Sequence, residues 1–297
     1  MKKKRVRFIV NPKSGGNFRT RLTERMIRHN LDLDRFQYDM YPTRYSGHAI
    51  KLAQQCLMEK IDIVAVVGGD GTQNEVGQVL MNTDVIMANI PTGSGNALAR
   101  KMNIPLHLPE SIRIINTGKP FAIDALILNG QPFFMAAGLG YDGKVVQQFD
   151  RLPFRGVLSY LTSILSSAFT YKLPTYTIKI DDKKPFTTQA FTVLVTNTGQ
   201  VGYNVEFCKD CFINDGIFAI TIVKEFDRTQ IPMMIKEAFW GDISSQSFLE
   251  SHHCKKLKIT TDSVEALQMD GDFHGLTNSI DVRVKKQSLT YLAPQNM

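Results

Sequence analysis

The amino-terminal part of the chain, up to about residue 125, alternates between strand-like and helix-like segments. Each apolar run is followed by a segment whose apolar residues recur at helical spacing, and Ser46 is the predicted N-cap of one such helix. The strand-like runs are 5–11, 37–43, 61–69 and 85–91, and the helix-like segments are 19–31, 46–60, 72–82 and 95–103. This alternation predicts an α/β fold, in which helices cover both faces of a parallel sheet and ligands bind outside the carboxyl ends of the strands.

In the second half of the chain the pattern changes to short strands joined by turn residues. Asn129-Gly130 and the stretch 181–185 each separate two apolar runs, which predicts two β-hairpins. Further strands are predicted at 216–224, 255–261, 263–272, 279–285 and 288–294, and only 156–172 and 230–240 have helical spacing. The sequence therefore predicts an α/β domain at 1–127 and a mainly antiparallel β domain at 128–297, whose last strand could return to the first domain.

The composition is that of a globular protein with a basic surface. No stretch approaches the ~20 apolar residues that span a bilayer, and the apolar run after Lys2–Arg5 is too short for a signal peptide, so a cytoplasmic location is expected. The net charge of +7 favours a polyanionic partner, such as nucleotide phosphates, nucleic acid or an anionic lipid surface, although it could serve solubility alone. Because the sequence has no helix-turn-helix or zinc-finger signature, nucleic acid is not expected.

The four cysteines are too few for a disulfide scaffold. Cys208-x-x-Cys211 and the run His252-His253-Cys254 could together supply zinc ligands. The second group lacks the paired spacing of a typical zinc site, so reduced thiols near strand ends are the preferred interpretation.

Three glycine-rich turns each follow a predicted strand, at 11–16, 68–72 and 93–96. Glycine permits a positive φ and lets the backbone approach a ligand closely, and the N–H groups at the start of the following helix suit phosphate. Each turn alone could be simply a tight turn, but three at one edge of the sheet would surround a polyphosphate. Neither the dinucleotide-binding pattern nor the P-loop pattern occurs, so the turns predict a nucleotide site of another kind.

The turns carry motifs that resemble the diacylglycerol kinase catalytic-domain family, which includes bacterial lipid kinases, sphingosine kinases and ceramide kinases. The motifs are, in order, NPKSGG, GGDGTQNEV, PTGSGNALAR, AIDALILNG, AAGLGYDGKV, NDGIFAITIV and MDGDF, and the resemblance extends over most of the chain. The resemblance implies an α/β nucleotide-binding domain, a carboxyl-terminal antiparallel β-sandwich domain and an active-site cleft between them. It also implies ATP and Mg²⁺ as cofactors.

The resemblance implies roles for individual residues as well. Asp70 and Asp272 match catalytic acids, either of which could take the proton of the acceptor hydroxyl, and Asp142, in a predicted glycine-flanked turn, matches an acid that contacts the lipid head group. The positions that match nucleotide contacts are Asn11, Thr43, Gly68, Gly69, Asp70, Gly71, Thr72, Glu75, Gly93, Ser94, Asn96, Arg155 and Asp270. The positions that match Mg²⁺ ligands are Asp70 and Asp124 and, in a separate structural site, Asp215 with the carbonyl groups of Phe212 and Ile217.

Several of these residues also have a structural interpretation. Glu75 could be a solvated acid in the first turn of a helix, and Asp124 could be a turn acid. Asp215-Gly216 could form a hairpin turn, and Arg155 could belong to a solvated basic loop.

Two positions depart from the family pattern. Ala97 follows Asn96 where bacterial diacylglycerol kinases commonly have an aspartate, which removes one acid of the Mg²⁺ network and resembles the sphingosine and ceramide kinases. The alanine predicts a helix face that packs and does not bind metal. Asp272 stands where the family commonly has glutamate, so a base at this position would have to lie closer to the substrate hydroxyl.

The resemblance predicts an ATP-dependent lipid kinase that phosphorylates a primary hydroxyl of a membrane lipid, either diacylglycerol or a sphingoid base. An NAD kinase-like enzyme with a soluble substrate stays open because NAD kinases share the GGDG turn, and a non-catalytic lipid or nucleotide sensor stays open because of Ala97 and Asp272. Peripheral association with the anionic inner face of a membrane is expected through Lys2–Arg5 and the amphipathic segment 156–172, although core packing is the preferred explanation of that segment. An exposed edge strand could also pair two subunits into a homodimer.

Overall fold

The computed structural model describes residues 2–15, 22–151, 162–164, 167–200, 205–208 and 210–295. The chain forms two compact units. The first consists of Met1–Ile123 with Gln287–Met297, and the second of Asp124–Lys286. The predicted class, an α/β fold followed by antiparallel β-structure, is confirmed.

The first unit contains a parallel sheet with the strand order β2-β1-β3-β4. The strands are β1 (Lys4–Val10), β2 (Phe36–Pro42), β3 (Ile63–Gly68) and β4 (Ile86–Pro91), and the helices are α1 (Glu24–Asn30), α2 (His48–Met58), α3 (Asp70–Leu80), α4 (Ala97–Lys101) and α5 (Leu108–Thr117). The end of β13 (Asp272–Ala293) lies parallel to β4, with Tyr291 opposite Met87. The predicted alternation is confirmed, and α5 is an additional helix that the sequence analysis did not predict.

Strand β3 is apolar along its whole length because helices cover both faces of the sheet, whereas β1 also carries Arg7, which is buried and paired with Asp39 and Glu59. All six residues of β3 are buried, and Phe8 of β1 is fully buried. Ile112 of α5 and Leu292 of β13 belong to the same core. The sheet is thereby fixed, and the turns at the carboxyl ends of its strands rest on a rigid support.

The second unit is built from antiparallel strands in the order β11-β10-β9-β7-β12-β13. Both β7 and β8 pair with β9 and with β12, so the strands close around one core that includes Leu139, Tyr176 and Val193. The strands are β5 (Lys119–Leu128), which enters from the first unit, β6 (Gln131–Phe133), β7 (Ala136–Gly140), β8 (Thr175–Ile180), β9 (Phe186–Thr196), β10 (Phe218–Lys224), β11 (Leu249–Cys254), β12 (Lys256–Met269) and β13. The helices are α6 (Tyr141–Arg151) and α7 (Ile231–Trp240), with short 3₁₀ turns at Arg228–Gln230 and Ile243–Ser245.

The two hairpins predicted from turn residues are confirmed. Asn129 (φ 48°) and Gly130 (φ 89°) join β5 to β6, and a positive φ at both central residues is what a two-residue type I′ turn requires. Asp181, with φ 49°, lies in the turn between β8 and β9.

Three local predictions are wrong. The N-cap of α2 is Gly47, in a left-handed conformation, and not Ser46. Asp142 lies in the first turn of α6 and not in an irregular turn. Cys208 and Cys211 form a disulfide, whereas the other two cysteines are free and buried as expected for structural thiols.

The predicted helix at 156–172 falls partly outside the described residues, and within it 162–164 and 167–168 are helical. Among the helices of the described residues, none is long and apolar enough to cross a membrane.

Candidate active site

A polar cavity of about 370 Å³ lies at the carboxyl ends of the strands of the first unit. Residues from the turns after β1 and β3, together with residues that follow β2, form its wall. The lining residues are Asn11, Lys13, Ser14, Thr43, Arg44, Tyr45, Ser46, Gly69, Gly71, Thr72 and Glu75. Of the positions that match nucleotide contacts, Asn11, Thr43, Gly69, Gly71, Thr72 and Glu75 lie together around this cavity. Gly68, Asp70 and the third-turn residues Gly93, Ser94 and Asn96 are not among its lining residues, and their nucleotide contacts stay predictions.

Asn11 joins the first turn to the start of helix α3. Its side-chain Nδ2 donates a hydrogen bond to Thr72 Oγ1 at 2.9 Å, and its Oδ1 accepts one from the backbone N–H of Lys13 at 3.0 Å. The backbone N–H of Asn11 donates to the Val67 carbonyl at the end of β3. The side chain of Asn11 therefore fixes the position of Lys13 relative to the amino-terminal end of α3.

The second and third glycine turns pack directly against each other. A Cβ atom at Gly93 would lie 2.5 Å from Gly69 Cα, which is closer than any real side chain can approach. Gly68 is restricted as well, because a Cβ there would lie 2.6 Å from Thr72 Cβ. None of these three glycines has a positive φ. The expectation that the glycines supply positive φ is therefore wrong at these positions, and close backbone packing is the reason for glycine.

Asp70 is the first residue of α3, and its side chain faces the third turn. A Cβ atom at Gly95 would lie 2.9 Å from Asp70 Oδ2, so glycine at 95 leaves room for this carboxylate. A carboxylate at a helix amino terminus is stabilised by the helix dipole. It is also an oxygen ligand of the kind that Mg²⁺ prefers.

Asn96 holds the third turn in shape. It has φ 51°, its Oδ1 accepts from Gly93 N–H at 2.9 Å, and its Nδ2 donates to the Gly93 carbonyl at 2.7 Å. Both polar ends of the side chain are thus used within the turn, while Ser94 at its tip is exposed. Ala97 is 2% exposed, which confirms the predicted packing face.

Glu75 has a role that the sequence did not reveal. Its Oε1 accepts from Gly47 N–H at 2.9 Å and its Oε2 accepts from Ala49 N–H at 3.2 Å. Because α2 has no side-chain cap of its own, the Glu75 carboxylate satisfies two N–H groups at its amino-terminal end. Glu75 therefore links α3 to α2 at the wall of the cavity, and its predicted contact with a nucleotide stays a prediction.

The cavity also contains groups that the sequence analysis did not select. Lys13 and Arg44 add positive charge, Ser14 and Ser46 add hydroxyl groups, and Tyr45 presents a ring that is 52% exposed. Lys13 and Ser14 belong to the first glycine-rich motif, and Arg44 to Ser46 directly follow the β2 strand, so their position after a parallel strand was the available signal. Cations, hydroxyls and a helix amino terminus form a donor set that fits a nucleoside triphosphate.

An apolar cavity of about 150 Å³ lies within the second unit. Helices α6 and α7 and strands β9 and β10 contribute most of its wall. The lining residues are Tyr141, Asp142, Val145, Ile164, Ala168, Phe191, Thr192, Leu194, Val205, Phe207, Val223, Phe226, Ile231, Met234, Ile235, Ala238 and Ile243. Asp142 is the only ionisable carboxyl group in this wall among the described residues.

Asp142 has one polar partner, Gln268, and belongs to the wall of the apolar cavity. Gln268 Nε2 donates to Asp142 Oδ2 at 2.7 Å. Burial raises the pKa of this carboxyl from its ordinary 3.8 to about 6, and the hydrogen bond from Gln268 offsets part of the rise. Gly138 is required beside it, because a Cβ at 138 would lie 2.1 Å from Asp142 Oδ2. The site therefore provides room for one carboxylate that changes charge near neutral pH.

Asp124 and Asp215 lie in the second unit and contact one segment of it. The Asp124 side chain is fully buried, and its Oδ2 accepts from Gly216 N–H at 2.6 Å. Asp215 is exposed, and its Oδ1 accepts from Ile217 N–H at 3.0 Å. Phe212 is 64% exposed. The predicted Mg²⁺ roles of these residues stay predictions.

Asp270 lies in the turn between β12 and β13, and Asp272 is the first residue of β13. Asp270 (φ 49°) and Gly271 (φ 88°) are the central pair of this turn. The Asp270 carboxylate accepts from three backbone N–H groups, those of Phe134, Met135 and Ala136, at 2.9–3.2 Å. Its observed role is thus to hold β6 and β7, while its predicted nucleotide contact stays a prediction. Asp272 is exposed, and Arg155 lies outside the described residues.

The sequence matches two known domain families. Residues 5–127 match the family described as diacylglycerol kinase catalytic domain, and residues 136–292 match the family described as YegS C-terminal NAD kinase beta sandwich-like domain.

Curated relatives cover the chain to different extents. A diacylglycerol kinase of Bacillus subtilis is 26% identical over 283 residues, which make up 92% of this chain and 91% of the relative. An uncharacterized protein of Synechocystis is 25% identical over 234 residues, which make up 76% of this chain and 54% of that protein. The chain thus spans about half the length of the Synechocystis relative.

Solved structures share the fold. A structure described as a diacylglycerol kinase from Bacillus anthracis has a TM-score of 0.74 at 20% identity and covers 100% of this chain and 99% of its own. An NAD kinase from Archaeoglobus fulgidus in complex with ATP has a TM-score of 0.53 at 12% identity and covers 98% of this chain and 94% of its own.

Proposed function

The chain belongs to the diacylglycerol kinase catalytic-domain family, and from this premise we propose that it is an ATP-dependent lipid kinase. The observation that carries the proposal is the apolar cavity of the second unit, with Asp142 in its wall. A membrane lipid needs apolar surface for its hydrocarbon and a polar group near its hydroxyl, and this cavity offers both. NAD has no alkyl chain to fill such a cavity, so a lipid acceptor is favoured over a soluble dinucleotide.

ATP is proposed to bind in the polar cavity of the first unit. Its phosphates would be neutralised by Lys13 and Arg44 and by the amino-terminal end of α3. Tyr45, whose ring stacks on that of His48 at 4.7 Å between centroids and is about half exposed, could contact the base. Asp70, the first residue of α3 beside this cavity, would hold Mg²⁺, which would supply positive charge to neutralise the phosphates.

In the proposed reaction the lipid oxygen forms a bond to the γ-phosphorus while the bond from that phosphorus to the bridging oxygen of ADP breaks. The transition state of such a transfer is loose, so positioning and charge neutralisation contribute most of the rate. Asp70 or Asp272 accepts the hydroxyl proton. An ordinary carboxylate is sufficient, because in a loose transition state the proton leaves late.

The test is a measurement of Mg²⁺-dependent ADP formation with diacylglycerol, a sphingoid base, NAD and no acceptor, the lipids being presented in mixed micelles. We expect ADP and a phosphorylated lipid with at least one of the two lipids. Phosphorylation of NAD alone would indicate an NAD kinase-like enzyme. Binding of a lipid or nucleotide without ADP formation would indicate a sensor.

Asp70→Asn is the matched inactive variant for this assay. It should fold as the parent does, judged by circular dichroism, and lose more than about tenfold in turnover because metal organisation is lost. For the base, Asp272→Asn should lower kcat more than it raises the lipid KM, and Asp272→Glu should keep activity. A fully active Asp272→Asn would leave Asp70 as the base.

Asp142→Asn distinguishes the two lipid classes. A carboxylate that pairs with an ammonium group forms a charge-assisted bond, which is stronger than its bond to a hydroxyl. Selective loss of activity on the sphingoid base would therefore favour an amine-bearing substrate. Equal loss on both lipids would mean that Asp142 orients the hydroxyl in general, and the preference for a sphingoid base would lapse.

A further inference from the structure

Two cysteines and a histidine meet in the second unit, and none of them lines either cavity described above. The sulfur atoms of Cys208 and Cys211 are bonded to each other, and His253 Nε2 lies 3.5 Å from Cys208 Sγ and 3.8 Å from Cys211 Sγ. Both cysteines are buried, whereas His253 is exposed. Across the described ranges this is the only group of three His, Cys, Asp or Glu side chains whose donor atoms come this close together.

Backbone contacts place Cys208 beside Gly199, and strand pairing places His253. The Phe207 and Cys208 N–H groups both donate to the Gly199 carbonyl, at 2.9 and 3.2 Å. A Cβ at Gly199 would lie 2.1 Å from the Cys208 carbonyl oxygen, so glycine is needed for this close approach. His253 lies in β11, paired with Ala219 of β10, and strand alternation directs it toward the cysteines.

The neighbouring histidine has different contacts. His252 Nε2 lies 2.7 Å from Glu250 Oε1, and its ring lies 6.2 Å from the ring of Phe186. Two adjacent histidines on one strand thus serve different sites, and His252 provides a matched control for His253.

We propose that Cys208, Cys211 and His253 bind Zn²⁺ once the disulfide is reduced. Two thiolates and one imidazole are ligands that zinc prefers, the Cys-x-x-Cys spacing is common in zinc sites, and the fourth tetrahedral position is left for water. The disulfide does not account for the position of the His253 imidazole, because a disulfide sulfur has no proton to donate and is only a weak hydrogen-bond acceptor. In the reduced form the same imidazole becomes a third ligand.

Reduction of the disulfide and binding of zinc are two successive steps. A dithiol reductant gives two electrons and two protons to the sulfur pair, the S–S bond breaks, and the reductant becomes a disulfide. Zn²⁺ then replaces the two thiol protons, which are released to solvent, while neutral His253 binds through Nε2.

The site lies on a segment that also holds Asp124. From Cys211 the chain runs to Ile213, whose carbonyl accepts from Asp124 N–H at 2.7 Å, and to Gly216, whose N–H donates to Asp124 Oδ2. A bound metal would therefore join this segment to β11. Zinc should raise the melting temperature of the reduced protein, because a ligand that binds the folded state stabilises it.

The experiment measures Zn²⁺ binding to the full chain after reduction, with all four thiols verified as free by titration in denaturant. The reduced protein should bind about one Zn²⁺ per chain and melt at a higher temperature with the metal, while the oxidised protein should bind less than a tenth of that amount. Co²⁺ in place of Zn²⁺ should give the charge-transfer and d–d bands of a tetrahedral site with sulfur ligands.

The variants identify the ligands. His253 is exposed, so His253→Gln should not affect folding. This variant should weaken Zn²⁺ binding at least about tenfold and abolish the zinc-dependent rise in melting temperature. The control His252→Gln should bind Zn²⁺ like the parent. Cys208→Ser and Cys211→Ser should each lower the intensity of the sulfur-to-Co²⁺ charge-transfer bands, because each removes one of the two sulfur ligands. Failure of the reduced parent to bind Zn²⁺, or unchanged binding by His253→Gln, would overturn the proposal.

Discussion

At the scale of the residue, aspartates with the same immediate neighbour serve different physical purposes. The dipeptide Asp-Gly occurs at 70–71, 142–143, 215–216 and 270–271. Asp70 begins a helix beside a polar cavity, Asp142 faces an apolar cavity, and Asp270 accepts three backbone N–H groups. Their partners come from distant parts of the chain, such as Gln268 for Asp142. Local sequence selects these residues as candidates, but their tertiary contacts decide what each one does.

Asp142 leads to a prediction about stability and pH. Its folded-state pKa is raised to about 6, so the folded protein holds the proton more tightly than the unfolded chain does. The contribution of Asp142 to stability therefore falls as the pH rises from about 4 to about 6. Asp142→Asn removes this effect, and at pH about 7.5 the variant should be more stable than the parent by roughly 1–3 kcal/mol, measured by urea unfolding.

The control for Asp142→Asn is the same substitution at an exposed aspartate. Asp34 is exposed, and Asp34→Asn should stay within about 0.5 kcal/mol of the parent in its free energy of unfolding at pH about 7.5. At pH about 4, where Asp142 is largely protonated in the folded state, the advantage of Asp142→Asn should shrink toward zero. A variant less stable than the parent at pH about 7.5 would mean that Asp142 is stabilised by its ionised form, contrary to its buried position.

At the scale of the element, helix α2 depends on a side chain from another helix. Its N-cap Gly47 offers no side chain, and Glu75 of α3 accepts from Gly47 N–H and Ala49 N–H instead. The sequence suggested Ser46 as the cap because capping rules use local spacing. The actual cap is 28 residues away in the chain, so no local rule could find it.

Glu75→Ala should therefore destabilise the protein. Removing the carboxylate leaves two N–H groups at the start of α2 without this acceptor, and the loss of a cap costs about 1–2 kcal/mol. The measurement is urea unfolding, with Glu110→Ala as control, because Glu110 is an exposed acid in the first turn of α5. The control should stay within about 0.5 kcal/mol of the parent. If both variants are equally stable, the cap contributes nothing.

The elements themselves differ in how well the sequence predicts them. Strand β3 is a continuous apolar run and is buried as the pattern indicates, whereas β1 and β4 each bury a polar residue among apolar ones, Arg7 and Asn89. Helix α5 carries a usable signal, with proline in its first turn and Leu108, Ile112 and Ile115 on one face. Helix α6 begins in a glycine-rich motif that is typical of a turn. Glycine is required at 143 because a Cβ atom there would lie 2.2 Å from the Ala266 carbonyl oxygen. That constraint is tertiary and leaves no local pattern.

At the scale of the whole molecule, the first unit is completed by the end of the chain. Residues Gln287–Met297 belong to it, and Leu289 and Tyr291 are almost fully buried there. The pattern of residues 288–294 predicts a strand, but the local sequence does not indicate which sheet that strand joins. The partner of that strand, β4, is about two hundred residues earlier, and only packing decides such a pairing.

The net charge of +7 leads to the last prediction, which concerns the membrane. We expect the protein to bind vesicles that contain an anionic phospholipid more strongly than vesicles of phosphatidylcholine alone, by at least about tenfold in a sedimentation assay. Each basic residue near an anionic surface contributes about 1 kcal/mol, so a few suffice. Binding should fall as salt is raised from about 0.05 to about 0.5 M, because surface charges are screened.

The location of the charge can be tested with two double variants of equal net charge. Lys2→Gln/Lys4→Gln removes exposed charges at the start of the chain, and Lys183→Gln/Lys184→Gln removes exposed charges from the turn between β8 and β9. If the amino terminus docks on the membrane, the first pair should weaken vesicle binding several-fold and the second pair should have a smaller effect. Equal effects would indicate attraction by overall charge without a docking surface. Equal binding of the parent to anionic and neutral vesicles would contradict the expected electrostatic association, since hydrophobic contacts alone would then have to bring the chain to a membrane.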